Sequence, residues 1–290
     1  MDWTVFCAEM MTCLYQCGHI AQRLKGKVTR EDKEPEEYQL STAISDVDRL
    51  CQEIILLKAL HMLPQIEVCS EEIADLPPDL KELFSTNSNR YVLVIDPVDG
   101  TDCYLEGGNQ YAHMVGILDQ ESARMTCGLV YFPELSSLYY AIRGTGSFVV
   151  KGLFGEARKL KPAEPPRSCG QIKRLTEQDY AAFKKAGFWL DTTANGSAAY
   201  AHIRVAEGSV GAMVARHFRG WDTAVTSLII EEVGGAVLDE DGNMTKYDKA
   251  MPRRPLVISS VLPEFSAALY QALQKQQLGF AERDSQRLSQ

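Results

Sequence analysis

The chain has 290 residues, 45% of them hydrophobic and 24% charged, with a formal net charge of −9. That length suffices for one large core or two layered subdomains, and the acidic balance argues against a nucleic-acid polymer as ligand, since such partners demand a basic face. No run approaches the roughly 18 uninterrupted apolar residues that cross a bilayer, and the start, Met1-Asp2-Trp3-Thr4, lacks the basic and long apolar regions of a secretory signal. The eight cysteines are irregularly spaced, with no Cys-x-x-Cys pair. Reduced thiols in a cytoplasmic protein without a membrane role are the expectation.

In chain order, residues 3 to 24 carry a helical pattern in which Cys13 and Cys17 share a face. Packing explains that pair better than zinc, because no histidine pair completes a tetrahedral set. Lys27 to Glu37 is charged and broken by Pro35, which predicts a surface loop. Asp46 to Met62 reads as a second helix, capped by Ser45 or Asp46. The apolar run Tyr91-Val92-Leu93-Val94-Ile95 reads as a buried strand, and short strands follow at Tyr111 to Leu118, Met125 to Phe132 and Leu138 to Ile142, together one mainly antiparallel sheet. Residues 155 to 170, with Pro162, Pro165 and Pro166, look like a connector. Beyond it Thr176 caps a helix, and helices alternate with strands at Val210 to Ala215, Ala236 to Leu238 and Leu256 to Ser259, as in an α/β half. The expected subdomains are residues 1–155 and 156–290, and the polar end from Leu278 to Gln290 should fray.

Directly behind the Tyr91 to Ile95 strand stands Asp96-Pro97-Val98-Asp99-Gly100-Thr101. The first carboxylate closes the strand, proline fixes the next φ, and glycine lets the backbone turn closely, so two acids converge on one point. Oxygen-only clusters of this kind suit Mg²⁺, which shares its shell with water and substrate phosphate. Thr101 adds a hydroxyl, and a helix starting there would offer N–H groups to a phosphate. An Asx-turn is the plainer reading of the same residues. Trp221-Asp222-Thr223-Ala224 places a second aspartate at an expected helix start, with Ala224, Val225, Leu228, Ile229 and Val233 on the inner face and Gly234-Gly235 at the end. Alone, Asp222 is equally an ordinary N-cap.

Together, Asp-Pro-x-Asp-Gly-Thr and, about 120 residues later, Trp-Asp-x-Ala-x-x-x-Leu-Ile-x-Glu-Glu-x-Gly-Gly resemble the inositol monophosphatase superfamily of Mg²⁺-dependent, lithium-sensitive phosphatases. Ser70-Glu71-Glu72, Ser45-Asp46-Val47-Asp48-Arg49, Gly128-Leu129-Val130-Tyr131, Gly144-Thr145-Gly146-Ser147-Phe148 and Gly196-Ser197-Ala198-Ala199 extend the similarity in order along the chain. The resemblance implies an αβαβα layered sandwich, a homodimer, a small phosphorylated substrate and two or three Mg²⁺ ions. It places Glu71, Asp96 and the Val98 carbonyl on one ion, and Asp96, Asp99 and Asp222 on a second. Thr101, paired with Asp48 or less well with Asp46, would orient and deprotonate the attacking water, Glu71 would join in catalysis, and no covalent phospho-enzyme would form. The N–H groups of Gly100 and Thr101 would hold phosphate, with Gly196 and Ser197 on the substrate side. The loop after residue 27 would approach the site in the same pattern, and its acids could help hold a further ion.

Around the substrate side the sequence departs from the family's pattern. Asp102-Cys103-Tyr104 matches neither the inositol enzymes nor the nucleotide-bisphosphate enzymes, and Ala215 stands seven residues before Asp222 where the inositol enzymes carry a glutamate. Arg216, His217 and Arg219 crowd that segment, either to meet a second anionic group of a ligand or to balance nearby acids or form a dimer contact. Inositol monophosphate is the default substrate. A 3′(2′),5′-bisphosphate nucleotidase is the alternative, another sugar or histidinol phosphate phosphatase stands beside it, and a non-catalytic scaffold is a third class. His113, inside a strand, reads as a core or edge residue.

Overall fold

The computed structural model describes residues 1–32, 43–75, 89–153, 155–170, 175–193 and 196–274. The acids expected to approach the site at 34–37 and the tail expected to fray at 278–290 lie outside the described residues.

Helix α1 (Trp3–Leu24) starts where the Asp2 carboxylate accepts the Thr4 N–H, and buries Phe6, Met10, Cys13, Leu14, Cys17 and Ala21 at helical spacing. Ser45 caps helix α2 (Asp46–Met62) in a reciprocal box with Asp48. A two-residue ribbon of β1 (Glu31–Asp32) and β2 (Ala43–Ile44) lies between the helices in sequence.

Seven strands form one sheet in sequence order: β3 (Glu67–Ser70), β4 (Tyr91–Asp99), β5 (Ala112–Asp119), β6 (Arg124–Phe132), β7 (Ser137–Ile142), β8 (Gly146–Lys151) and β9 (Arg158–Lys159). Only the β3–β4 pair is parallel. A second sheet has the order β11 (Trp189–Asp191), β10 (Ser168–Gly170), β12 (Ala212–Ala215), β14 (Val257–Ser260), β13 (Ala236–Leu238), parallel at its β11–β10–β12 edge and antiparallel beyond. The tract read as a connector thus contributes a strand to each sheet, and the prolines at 162, 165 and 166 mark the crossing between them. Prolines cannot donate to a ladder, which is why they fall between the strands.

Helices α1 and α2 cover one face of the large sheet, burying Leu93, Ile95, Leu129 and Tyr131. Helices α5 (Ala198–Ala206) and α6 (Gly220–Glu232) lie between the two sheets, and α4 (Glu177–Lys185), capped by Thr176, and the helical residues 263–274 complete an αβαβα sandwich. Val92, Leu93, Val94 and Ile95 are fully buried because both faces of β4 are covered, which explains their unbroken apolar run. Each such side chain contributes about 1.5–3 kcal/mol. Among the described residues no helix is long and apolar enough to cross a membrane.

Helix α6 approaches the sheet unusually closely. Gly116 and Gly128 are cross-strand partners, and a Cβ on Gly128 would stand 2.8 Å from Val225 Cγ1. At its far end Glu231 receives Arg124 and Arg143, while Glu232 accepts the N–H groups of Gly144 and Gly146. These donors offset two acids at a helix C-terminus, where the macrodipole disfavours them. Helix α6 is therefore clamped to the sheet at its middle and end. Gly128→Ala should destabilise the protein by about 1–3 kcal/mol in urea unfolding, and adding Val225→Ala should recover part of that loss. Strictly additive losses would contradict the close contact.

Candidate metal centre

Strand β4 carries one residue more than its partner at its end, since Asp96 pairs with Met114 but Asp99 with Ala112. Pro97 and Val98 together face His113 across this bulge. The extra residue bends the strand and delivers Asp96 and Asp99 to the same side of the sheet's edge. Gly100 follows in the left-handed region at φ 90°, and a Cβ there would meet Ser197 Cβ at 2.8 Å and the Gly196 carbonyl at 2.9 Å. Gly100, Gly196 and Ser197 are thus brought together. Helix α3 (Thr101–Leu105) begins at the next residue.

Asp99 ties β4 to the middle layer. Its two oxygens accept the N–H groups of Ala198 at 3.3 Å and Ala199 at 2.6 Å, at the start of α5. Ser197 Oγ caps the same helix through the Tyr200 N–H. Gly196 N–H donates to Gln110 Oε1 at 3.0 Å. The Thr101 hydroxyl lies 3.1 Å from Asp48 Oδ1 and 3.0 Å from the Val98 carbonyl. One hydroxyl proton cannot serve both acceptors at once, so a proton on Asp48, or alternation between the two, completes the pair. Asp48 also accepts the backbone N–H and hydroxyl of Ser45, whereas Asp46 lies exposed beside Arg49.

Glu71 follows β3, and its N–H donates to the Ile95 carbonyl, next to Asp96. Buried Gln52 brackets it from α2: its amide donates to the Glu72 carbonyl at 2.8 Å and its carbonyl accepts from the Ser70 hydroxyl. Asp222 is the third residue of α6, which begins at Gly220 with Arg219 as cap. The sequence expectation of a helix starting at Asp222 is off by those two residues. From that position its carboxylate reaches back to the Arg219 N–H at 3.0 Å. Arg216, read from sequence as a substrate-side cation, is held in a two-pronged ion pair with Asp179 of α4, at 3.2 and 2.8 Å.

These acids lie within one another's field. Burial, then the charges of Glu71, Asp99, Asp222 and Asp48, push the Asp96 carboxyl well above the usual range. Asp96 is 1% exposed, and its Oδ1 is buried without a hydrogen-bond partner among the described residues. Burial and then Glu71 and Asp99 likewise raise Asp222, against the opposing Arg219 N–H and Arg253 charge. Burial lifts Asp99 to about 6 despite its three donors, and lifts Asp48 to about 6, with Glu71 adding to it. As placed, no three acidic, histidine or cysteine side chains among the described residues stand close enough to grip an ion. The donor set still fits a hard divalent cation: its members are oxygens, its charges repel, and one buried oxygen faces no proton donor.

Gln52, Ser45, Gln110 and Arg253 were not singled out from sequence as site residues. Only Ser45, three residues ahead of Asp48, left a local signal, the capping box.

The sequence profile of the inositol monophosphatase family matches residues 5–278. A histidinol-phosphatase of Chlorobaculum parvum is 27% identical over 214 residues, covering 71% of this chain and 76% of that protein. The 3′(2′),5′-bisphosphate nucleotidase CysQ of Aggregatibacter actinomycetemcomitans is 25% identical over 248 residues, covering 83% of each. Among solved structures, an IMPase/NADP phosphatase complexed with Mg²⁺ and phosphate superposes with a TM-score of 0.69 at 18% identity, over 93% of this chain and 96% of that one. With the profile spanning nearly the whole sequence, the chain belongs to the inositol monophosphatase family and is a phosphoric monoester hydrolase.

Proposed function

We propose that this chain hydrolyses a small phosphorylated metabolite with Mg²⁺, and that Glu71, Asp96, Asp99, Asp222 and the Val98 carbonyl hold the metal. The observation that carries the reading is the buried, unpartnered Oδ1 of Asp96 amid four further carboxylates. Asp96 would serve two ions, one shared with Glu71 and Val98, the other with Asp99 and Asp222. Asp99 has room for both roles, because its two oxygens offer about four acceptor sites and the Ala198 and Ala199 N–H groups and the Ser197 hydroxyl use three. When bound there, Mg²⁺ supplies positive charge that acidifies a water and steadies the departing oxygen.

The chain's own residues orient and relay. Thr101 accepts a hydrogen bond from water, and Asp48, whose proton affinity burial has raised, takes up the proton through the Thr101 hydroxyl. The pair stays in register because Ser45 and the start of α2 hold Asp48 from behind. Backbone N–H groups of Gly100 and Thr101 orient the phosphate, and the Gly196-Ser197 turn, against which Gly100 packs, borders the substrate.

The default substrate is inositol monophosphate. Buried Ala215 offers no carboxylate to sugar hydroxyls, which weakens that choice. The bisphosphate-nucleotidase reading is supported by the likeness to the CysQ nucleotidase over 83% of the chain. Arg216 adds nothing to it while Asp179 holds that guanidinium. The protein is proposed to work as a cytoplasmic homodimer. Phosphate release from inositol phosphate, adenosine 3′,5′-bisphosphate, fructose 1,6-bisphosphate and histidinol phosphate, with and without Mg²⁺, separates the readings. Absence of Mg²⁺-dependent release from the whole panel would argue for a scaffold.

Asp96→Asn and Asp222→Asn should keep the wild-type circular dichroism while lowering Mg²⁺-dependent release more than about 100-fold; turnover at the wild-type rate in either would remove that residue from the metal set. Thr101→Ala should lower kcat with less change in Mg²⁺ affinity, and an unchanged kcat would take Thr101 out of the relay. In EDTA the native state holds more protons than the unfolded chain between about pH 4 and about 6, because Asp48 and Asp99 are both raised to about 6. Stability should therefore fall as pH rises through that window. At pH 7, Mg²⁺ at 100 times its Kd should add about 2.7 kcal/mol. Metal-free melting temperatures that climb from pH 4 to 6 would contradict the raised carboxyls.

A further inference from the structure

We infer that His113 is a positioning residue for the metal loop: its imidazole pins the Pro97 carbonyl inside the β4 bulge and so fixes the backbone between Asp96 and Asp99. This rests on the metal reading proposed above. In the β4–β5 ladder the paired residues are Asp96 with Met114 and Asp99 with Ala112, which leaves Pro97 and Val98 opposite His113. The backbone of a bulge loses its regular ladder partners. His113 Nδ1 stands 2.5 Å from the Pro97 carbonyl oxygen and the residue is fully buried. A carbonyl only accepts, so the proton of the ring sits on Nδ1.

Two torsions of Pro97 lie between the carboxylates. The pyrrolidine ring holds φ, and a donor anchored in β5 holds the carbonyl and with it ψ. The carbonyl of the following residue, Val98, shares the Thr101 hydroxyl with Asp48. Pro97, between Asp96 and Asp99, is thereby fixed by its own ring and by an imidazole. The rest of the imidazole argues the same way. His113 Nε2 is buried without a partner among the described residues, which disfavours the folded state. An aliphatic side chain would fill the space without that cost, so the Nδ1–H donor is what a histidine adds here.

The test uses the full chain, Mg²⁺ alone as probe, and two variants. By titration calorimetry His113→Leu, which fills the space but cannot donate, should bind Mg²⁺ about tenfold more weakly than wild type. His113→Asn, whose amide nitrogen can occupy the place of Nδ1, should stay within about threefold of wild type. In wild-type protein with ¹⁵N-labelled histidine, the His113 ring should be protonated on Nδ1 and not on Nε2, and its resonances should move when Mg²⁺ is added. Wild-type affinity in the leucine variant, an asparagine variant as weak as the leucine one, or a ring protonated on Nε2 would each overturn the inference. If the leucine variant does not fold, the asparagine variant and the wild-type ring decide it. Wild-type protein that takes up no Mg²⁺ overturns the metal reading and this inference together, whereas Mg²⁺ uptake that His113→Leu leaves unchanged overturns this one alone.

Discussion

Five carboxylates within one another's field, three of them buried, are the constraint on which the rest of this molecule turns. Two like charges roughly 4 Å apart repel by roughly 4 kcal/mol at the effective dielectric of a protein surface layer, and a domain's whole margin of stability is only about 5–15 kcal/mol. Fully ionised and without a counter-charge, Asp48, Glu71, Asp96, Asp99 and Asp222 would repel one another. Burial and the neighbouring acids raise the proton affinity of Asp48, Asp96, Asp99 and Asp222, so protonation relieves part of that repulsion. A hard cation would serve the same end and leave the carboxylates ionised.

The scaffold makes this tension possible by bringing acids from separate layers to one edge and denying them room to disperse. Asp99 is held by the first turn of α5, Asp222 by its own helix cap, and Asp48 by Ser45. Gln52 holds the Ser70 hydroxyl and the Glu72 carbonyl on either side of Glu71. Helix α6, which carries Asp222, cannot slide away while Gly116 and Gly128 admit it to the sheet and Glu231 and Glu232 fasten its other end. Stability of the sandwich and geometry of the site are therefore one problem, solved by the same contacts.

Much of this was legible in sequence wherever the information is local. Asp96 to Thr101 could be read because a buried strand, a proline and a glycine are contiguous, and α1, α2 and α4 announce their starts through Asp2, Ser45 and Thr176. Asp222 and Glu71 joined the site only by resemblance, since no local rule separates a ligand from an ordinary helix-start acid. Strands β9, β10 and β11 were not predicted as such; they are short, and their pairing depends on partners elsewhere in the chain. The ion pair of Arg216 with Asp179 spans 37 positions, which no pattern of charges along the chain reveals. His113 could be read as a core residue, but its bond to Pro97 exists only because the β4 bulge shifts the register by one.

Proton release on metal binding bears most directly on whether a divalent cation resolves the repulsion among these acids. Titration calorimetry of the metal-free protein with MgCl₂ at pH 6, repeated in buffers of different ionisation enthalpy, counts the protons expelled. Uptake of Mg²⁺ should expel protons at pH 6 and fewer at pH 8, as carboxyls raised to about 6 give up theirs. Binding without proton release at pH 6, or no binding at all, would contradict a carboxylate cluster built for a cation.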